Sequence, residues 1–330
     1  LHLNHIMDYS FFWIMGMYDY YQYTGDAAFV GENLKKTFEV MDYTLSRTDQ
    51  NGFVDSKTED WVFVDWADLD NSGEVCFEQI LMIVALKNCA ELGEMFGEAE
   101  KAAAYRTLWA EKLKKLDVFW DEKQKAYIYS LKDGKSDEKI LRYPNMFAVL
   151  YDVCAEERKE HIKESVLKND RIPSIVTPYM KFYEFSALCK MGEQEYVLEE
   201  IRNYWGGMLK EGATTFWEAY DYRQQGREKY AMYGRKYGKS LCHAWGASPL
   251  YLIGKYIVGL TPADGEFILK PCLAGLDSFD AELPLARGSV KISMTKEKIS
   301  VYSDDMYGTL ELGRKKYRIE PQKRKEVDCS

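Results

Sequence analysis

A helical hydrophobic period runs through the first 260 residues of this chain and then stops, and that break limits its fold more than any other feature. Apolar residues recur three and four positions apart, which puts them on one face of an α-helix. Ile6, Tyr9, Trp13, Met17 and Tyr20 form one stripe, and Val30, Leu34, Phe38, Met41 and Leu45 form the next. Met82, Leu86, Cys89, Leu92 and Phe96 follow, then Ala102, Tyr105, Trp109, Leu113 and Leu116. Further helices are expected near 143–154, 158–168, 177–191, 194–209 and 241–258, about nine altogether. Their connections alternate in length. Short ones fall at Thr24-Gly25-Asp26, Phe96-Gly97, Ala155 to Glu157 and Gly192-Glu193; long ones fall at 48–75, 119–142, 169–176 and 210–240. Short loops join antiparallel neighbours, so the long loops should gather at the opposite end of the helices. A ring of helical hairpins, the (α/α)6 barrel, has this alternation. About twelve helices close such a ring, so a count of about nine leaves about three to be expected ahead of Leu1.

After Gly259-Leu260-Thr261-Pro262 the period becomes two. Ser289–Met294 and Ile299–Ser303, turning at Lys296-Glu297, alternate as strands do, and Thr309–Leu312 and Lys316–Ile319 continue the pattern. The expected organisation is therefore mainly α: an (α/α)6-barrel domain over residues 1–260, incomplete at its N-terminus, followed by a small antiparallel β-sandwich over 261–330.

Charge and composition narrow the partners. The net charge is −9, and the 44 Lys and Arg form no long basic stripe. That disfavours a nucleic-acid or anionic-membrane partner and suits a neutral ligand. Only Arg314-Lys315-Lys316 and Lys323-Arg324-Lys325 are locally basic, as a solvated end would be. No run of about 18 apolar residues is present, so no membrane-spanning helix is expected. The seven cysteines are odd in number and lack a CxxC pair, which points to free thiols, a reducing compartment and a cytoplasmic location. The chain opens at Leu1 directly into a helical pattern, so a targeting segment ahead of it, and with it a periplasmic or secreted location, stays open.

Aromatic residues make up 15% of the chain and cluster with acids in two of the long loops. Thr214-Thr215-Phe216-Trp217-Glu218 is followed by His243-Ala244-Trp245-Gly246, and upstream lies Asp60-Trp61-Val62-Phe63-Val64-Asp65-Trp66. Chemistry at an anomeric carbon calls for such sets. An indole offers a flat apolar wall to the C–H face of a sugar ring, and a carboxylate among apolar groups can move a proton or activate water. Each assignment has a plainer alternative. Glu218 is either a general base or a loop carboxylate paired with an arginine such as Arg223. Trp217 and Trp245 are either site walls or core, and His243 either bonds a sugar hydroxyl or is structural. His2 and His5 have no acidic partner at metal-ligand spacing. Asp68-Leu69-Asp70-Asn71-Ser72-Gly73 opens like a calcium loop but has Gln79 where a bidentate Glu is needed. No metal and no cofactor is expected.

Helical hairpins, an Asp-Trp loop, Thr-Thr-x-Trp-Glu, then Ser240-Leu241-Cys242-His243-Ala244-Trp245 with Pro249 and a β-domain opening Pro-Ala-Asp-Gly together resemble the bacterial α-L-rhamnosidases of glycoside hydrolase family 78. The likeness covers nearly the whole chain in the family's order. It implies inverting hydrolysis of terminal α-L-rhamnose from a glycan or glycoside, with Glu218 as base, Asp60 and Trp61 as sugar contacts, and Asp65 and Trp66 at or just behind them. The family's acid belongs to a segment ahead of the first helix here, and no copy of it occurs in this chain. Two other readings remain: a sugar epimerase on the same barrel, for which four histidines are a poor supply, and a carbohydrate-binding remnant without catalysis.

Overall fold

The computed structural model describes residues 5–56, 60–263 and 265–329; His2 lies outside them. The chain forms two compact units, one of residues 1–21 and 26–174 and the other of residues 22–25 and 175–330.

The first unit is built on α1 (Met7–Thr24, up to Tyr21), α2 (Ala27–Ser46), α3 (Cys76–Met95), α4 (Ala99–Lys115), α5 (Arg142–Leu150) and α6 (Glu156–Ile162). Asp26 starts α2 by accepting the Phe29 N–H at 3.0 Å, so the short connection before it doubles as a cap. α3 is the centre of the unit. Its sequence CFEQILMIVALKNCAELGEM is apolar nearly all round, and most of its residues are buried. α4 folds back on α3 through Phe96–Glu98, and a Cβ at Gly93 would lie 3.0 Å from that of Ala102, so two small residues let these helices approach closely. α4 ends on Lys112, Lys114 and Lys115, which suits the negative end of the helix dipole.

Two of the expected long loops contain strand ribbons that periodicity did not disclose. β1 (Glu74–Val75), β2 (Trp120–Asp121), β3 (Ala126–Tyr127), β4 (Ser130–Lys132) and β5 (Lys135–Ser136) pair as β2–β3 and β1–β4–β5. Two- and three-residue strands are too short to show a period. The helix expected over 158–168 is α6 followed by a π-helical turn, Lys163–Leu167.

The second unit contains α7 (Pro178–Lys190), α8 (Gln194–Lys210) and α9 (Pro249–Leu252), the last continued by a π-helical turn over Ile253–Ile257. The helix expected over 241–258 therefore begins only at Pro249, a residue suited to the first helical position because it has no N–H to satisfy. Residues before it form an extended segment and a 3-10 turn, Ala244–Gly246.

Eight strands follow: β6 (Leu260–Ala263), β7 (Glu266–Leu269), β8 (Ser278–Pro284), β9 (Ser289–Thr295), β10 (Lys298–Ser303), β11 (Gly308–Leu312), β12 (Lys315–Ile319) and β13 (Arg324–Asp328). They make two four-stranded sheets, ordered β13-β10-β9-β8 and β12-β11-β7-β6. The expected hairpins are present, with Ile299 opposite Met294 and Leu310 opposite Tyr317. One pair departs from the antiparallel expectation: β7 and β11 run parallel, with Phe267 opposite Gly308. Inward residues of both sheets, among them Phe267, Leu269, Val290, Ile292, Val301, Leu310 and Ile319, share one core. β13 is charged along its length, as an edge strand that resists further pairing should be.

Candidate active site

In the first unit the segment from Asp60 to Trp66 is tied to the start of α1. The Trp61 N–H donates to the His5 carbonyl at 2.8 Å, and the Met7 N–H donates to the Trp61 carbonyl at 3.1 Å. Both oxygens of Asp8 are taken by this segment, accepting the Phe63 and Val64 N–H groups at 2.9 Å each. They hold Val64 at a φ of 57°, a left-handed conformation that a β-branched residue adopts only under constraint. The twist turns the backbone so that Asp65 accepts from the Tyr143 hydroxyl at 2.9 Å while its other oxygen receives the Trp66 N–H at 2.8 Å. Asp60 is 8% exposed, with the Arg47 Nε 2.6 Å from one oxygen and the His5 Nδ1 3.4 Å from the other. The indoles are the open part of this loop: Trp61 is 36% and Trp66 38% exposed, and both pack edge-on around the buried Phe63 ring.

Beside Asp8 on α3 lies Glu78, fully buried and facing the Asp8 carboxylate, to which it can donate when protonated. Burial, and then the Asp8 charge, push its carboxyl well above the ordinary range. A raised carboxyl holds its proton in the folded chain and releases it in the unfolded chain once pH passes about 4.3. This contribution to stability is therefore complete below that pH and is lost as pH rises toward the folded value. Glu78→Gln, isosteric and always neutral, should match wild type in Tm at pH 4 and exceed it at pH 8 by about 2–4 °C or more. Parallel Tm-versus-pH curves for the two proteins would show the carboxyl to be ordinary.

In the second unit the two downstream motifs come together. The His243 N–H donates to the Phe216 carbonyl at 2.8 Å, the Thr215 hydroxyl donates to the Leu241 carbonyl, and the Glu218 N–H donates to the Ser240 carbonyl at 2.9 Å. The Ser240 N–H returns a bond to Glu218 Oε2 at 2.9 Å, and the Trp245 indole N–H reaches the Glu218 carbonyl at 3.1 Å. Glu218 is only 3% exposed, and the Tyr233 hydroxyl donates to its Oε1. His243 Nδ1 lies 3.9 Å from Oε2. Among the described residues no Lys or Arg forms an ion pair with Glu218. Arg223, its alternative partner from the sequence, instead pairs with Asp221, its Nε and Nη2 each 2.8 Å from a carboxylate oxygen. Lys239 is buried nearby; its Nζ donates to the Lys229 carbonyl at 2.5 Å, and burial lowers its pKa against the opposing pull of Asp221 and Glu218.

The three aromatic candidates here differ. Trp245 stacks on Tyr179 with ring centroids 5.0 Å apart, and His243 leans on its ring at 4.4 Å. Trp217 is 3% exposed, enclosed by Tyr220 and Tyr230, and has no free face to offer a sugar. Its neighbour Phe216 is the exposed ring. Sequence reasoning missed Tyr233 and Asp8. For Tyr233 a signal existed in the Tyr233-Gly234 dipeptide, which marks a tight turn; nothing local marks Asp8.

The chain matches, over residues 2–257, the family described as the bacterial α-L-rhamnosidase six-hairpin glycosidase domain. Among solved structures it is similar to a GH78 family rhamnosidase of Bacillus sp. GL1, with a TM-score of 0.82 and 27% identity over 94% of this chain and 34% of that one. A rhamnosidase from Klebsiella oxytoca with rhamnose bound matches with a TM-score of 0.67 and 30% identity over 76% of this chain and 47% of the other. The α-L-rhamnosidase from Dictyoglumus thermophilum has a TM-score of 0.72 at 17% identity, over 92% of this chain and 34% of its own, and shares the fold. Among curated proteins no sequence matches. The chain thus spans between a third and a half of the length of these structures, and no described helix is long and apolar enough to cross a membrane. A family match over more than three-quarters of its length places this chain among the bacterial α-L-rhamnosidase six-hairpin glycosidase domains.

Proposed function

We propose that the chain supplies the base half of a site that hydrolyses terminal α-L-rhamnosides with inversion, on an (α/α)6 barrel over residues 1–260 joined to a β-sandwich over 261–330. The observation that carries this reading is the state of Glu218: buried, fixed by neutral donors on both oxygens, and paired with no Lys or Arg among the described residues. A carboxylate neutralised by an arginine is a weak base, whereas one oriented by an N–H and a phenol keeps lone pairs for a water proton. In the proposed step Glu218 takes a proton from water as its oxygen attacks the anomeric carbon, and a second carboxyl protonates the departing oxygen. Inversion requires these carboxyls about 6.5–9.5 Å apart.

In the second unit Trp245 with His243 serves as the wall and hydroxyl partner near the base; in the first, the exposed indoles of Trp61 and Trp66 are the sugar contacts that the resemblance implies. Asp60 and Asp65 act through the loop that they and Asp8 hold in shape.

The stereochemistry tests this directly. Full-length protein acting on an aryl α-L-rhamnoside, followed by proton NMR, should release the β-anomer first and the α-anomer only by mutarotation. Initial release of the α-anomer would mean a covalent glycosyl intermediate and would exclude Glu218 as a base for water in a single displacement.

A further inference from the structure

We propose that Tyr233 is a positioning residue for Glu218, held in a strained turn so that its hydroxyl aims the carboxylate at the attacking water; this rests on the reading of Glu218 as the base.

The turn is unusual. Met232 and Arg235 exchange backbone hydrogen bonds of 3.1 and 2.9 Å, with Tyr233 at a φ of 55° and Gly234 at 70° between them. Positive φ at both central residues defines a type I′ turn, for which Asn-Gly is the favoured pair. Glycine meets that demand at Gly234 without cost, but a bulky aromatic at the first position does not. Such strain persists where surrounding contacts over-determine it, and it gathers at functional sites. Two contacts anchor the loop on either side of the turn: the Lys239 N–H donates to the Tyr230 carbonyl at 3.1 Å, and the Lys239 ammonium donates to the Lys229 carbonyl at 2.5 Å. The return on the strain is the contact between the Tyr233 hydroxyl and Glu218 Oε1.

Glu218 is thus gripped from two sides, Oε2 by the Ser240 N–H at 2.9 Å and Oε1 by Tyr233, while its backbone is pinned to Ser240 and Trp245. The titratable groups around it are Tyr233, His243 and, farther off, Lys239 between Glu218 and Asp221. Burial and the Glu218 charge push the Tyr233 phenol up, so it remains a donor at any working pH. Donation to an ionised carboxylate favours that form.

The test uses full-length protein and an aryl α-L-rhamnoside. Tyr233→Phe keeps the ring and removes the hydroxyl. It should lower kcat about tenfold with KM nearly unchanged. Tyr233→Asn installs the residue that the turn prefers. It should raise Tm by a few degrees while losing activity as the Phe variant does. A tyrosine that only supported the fold would lower Tm in the Asn variant and leave kcat of the Phe variant near that of wild type. Wild-type kcat in Tyr233→Phe, or a lowered Tm with intact activity in Tyr233→Asn, overturns the proposal. Glu218→Gln assayed alongside separates the two levels. If it is inactive while Tyr233→Phe behaves as wild type, only the role of Tyr233 fails; if it is active, the base reading itself fails.

Discussion

Glu218→Gln in the full-length protein is expected to lose about 10²-fold or more of its turnover on an aryl α-L-rhamnoside with no change in fold. The substitution preserves shape, so the Ser240 N–H keeps an oxygen to bind, and the backbone bonds to Ser240 and Trp245 are untouched. What disappears is the negative charge that draws a proton from water. An amide nitrogen facing the Tyr233 hydroxyl also turns an acceptor into a donor, which that hydroxyl can accommodate by rotating. Tm should therefore stay close to wild type while kcat collapses and KM moves little, as for a group that acts only in the transition state. A variant retaining more than about a tenth of wild-type turnover would remove Glu218 from the reaction.

Gly259→Ala should lower the stability of the chain strongly. Gly259 joins the last helical turn to β6 at a φ of 80°, and its carbonyl accepts the Lys270 N–H at 3.0 Å. A Cβ there would lie 2.1 Å from the Lys270 carbonyl oxygen and 2.2 Å from its carbon. Both are backbone atoms beside β7, so neither can swing aside as a side-chain tip would. Left-handed φ costs a non-glycine residue about 1–2 kcal/mol, and overpacking adds about 1–3 kcal/mol. A fall in Tm of about 5–15 °C is expected by calorimetry. A shift under about 2 °C would show that the β6–β7 junction can open and that this glycine does not set it.

The helical stripes of α1 to α8 were legible because a buried helix face leaves its period in the local sequence, and so were β9 to β12 and the turn between β9 and β10. The Thr-Thr-x-Trp-Glu and His-Ala-Trp motifs were equally plain, since chemistry on a loop needs particular residue types close together. Other features depend on partners distant in sequence. The two-residue strand β1 exists only because it finds β4 from the far side of α3 and α4, and β2 to β5 are too short to show a period. The burial of Asp60 follows from Arg47 and His5, and the left-handed Val64 from Asp8, 56 positions away. Trp217 and Trp245 look alike in sequence, yet one is enclosed by Tyr220 and Tyr230 and the other stacks on Tyr179. Local sequence determined that this chain makes helical hairpins, a β-domain and an acid-and-aromatic loop pair; the tertiary structure decided that Glu218 is held by Ser240 and Tyr233 and by no Lys or Arg among the described residues, because desolvation and hydrogen bonding are set by neighbours that only folding brings together.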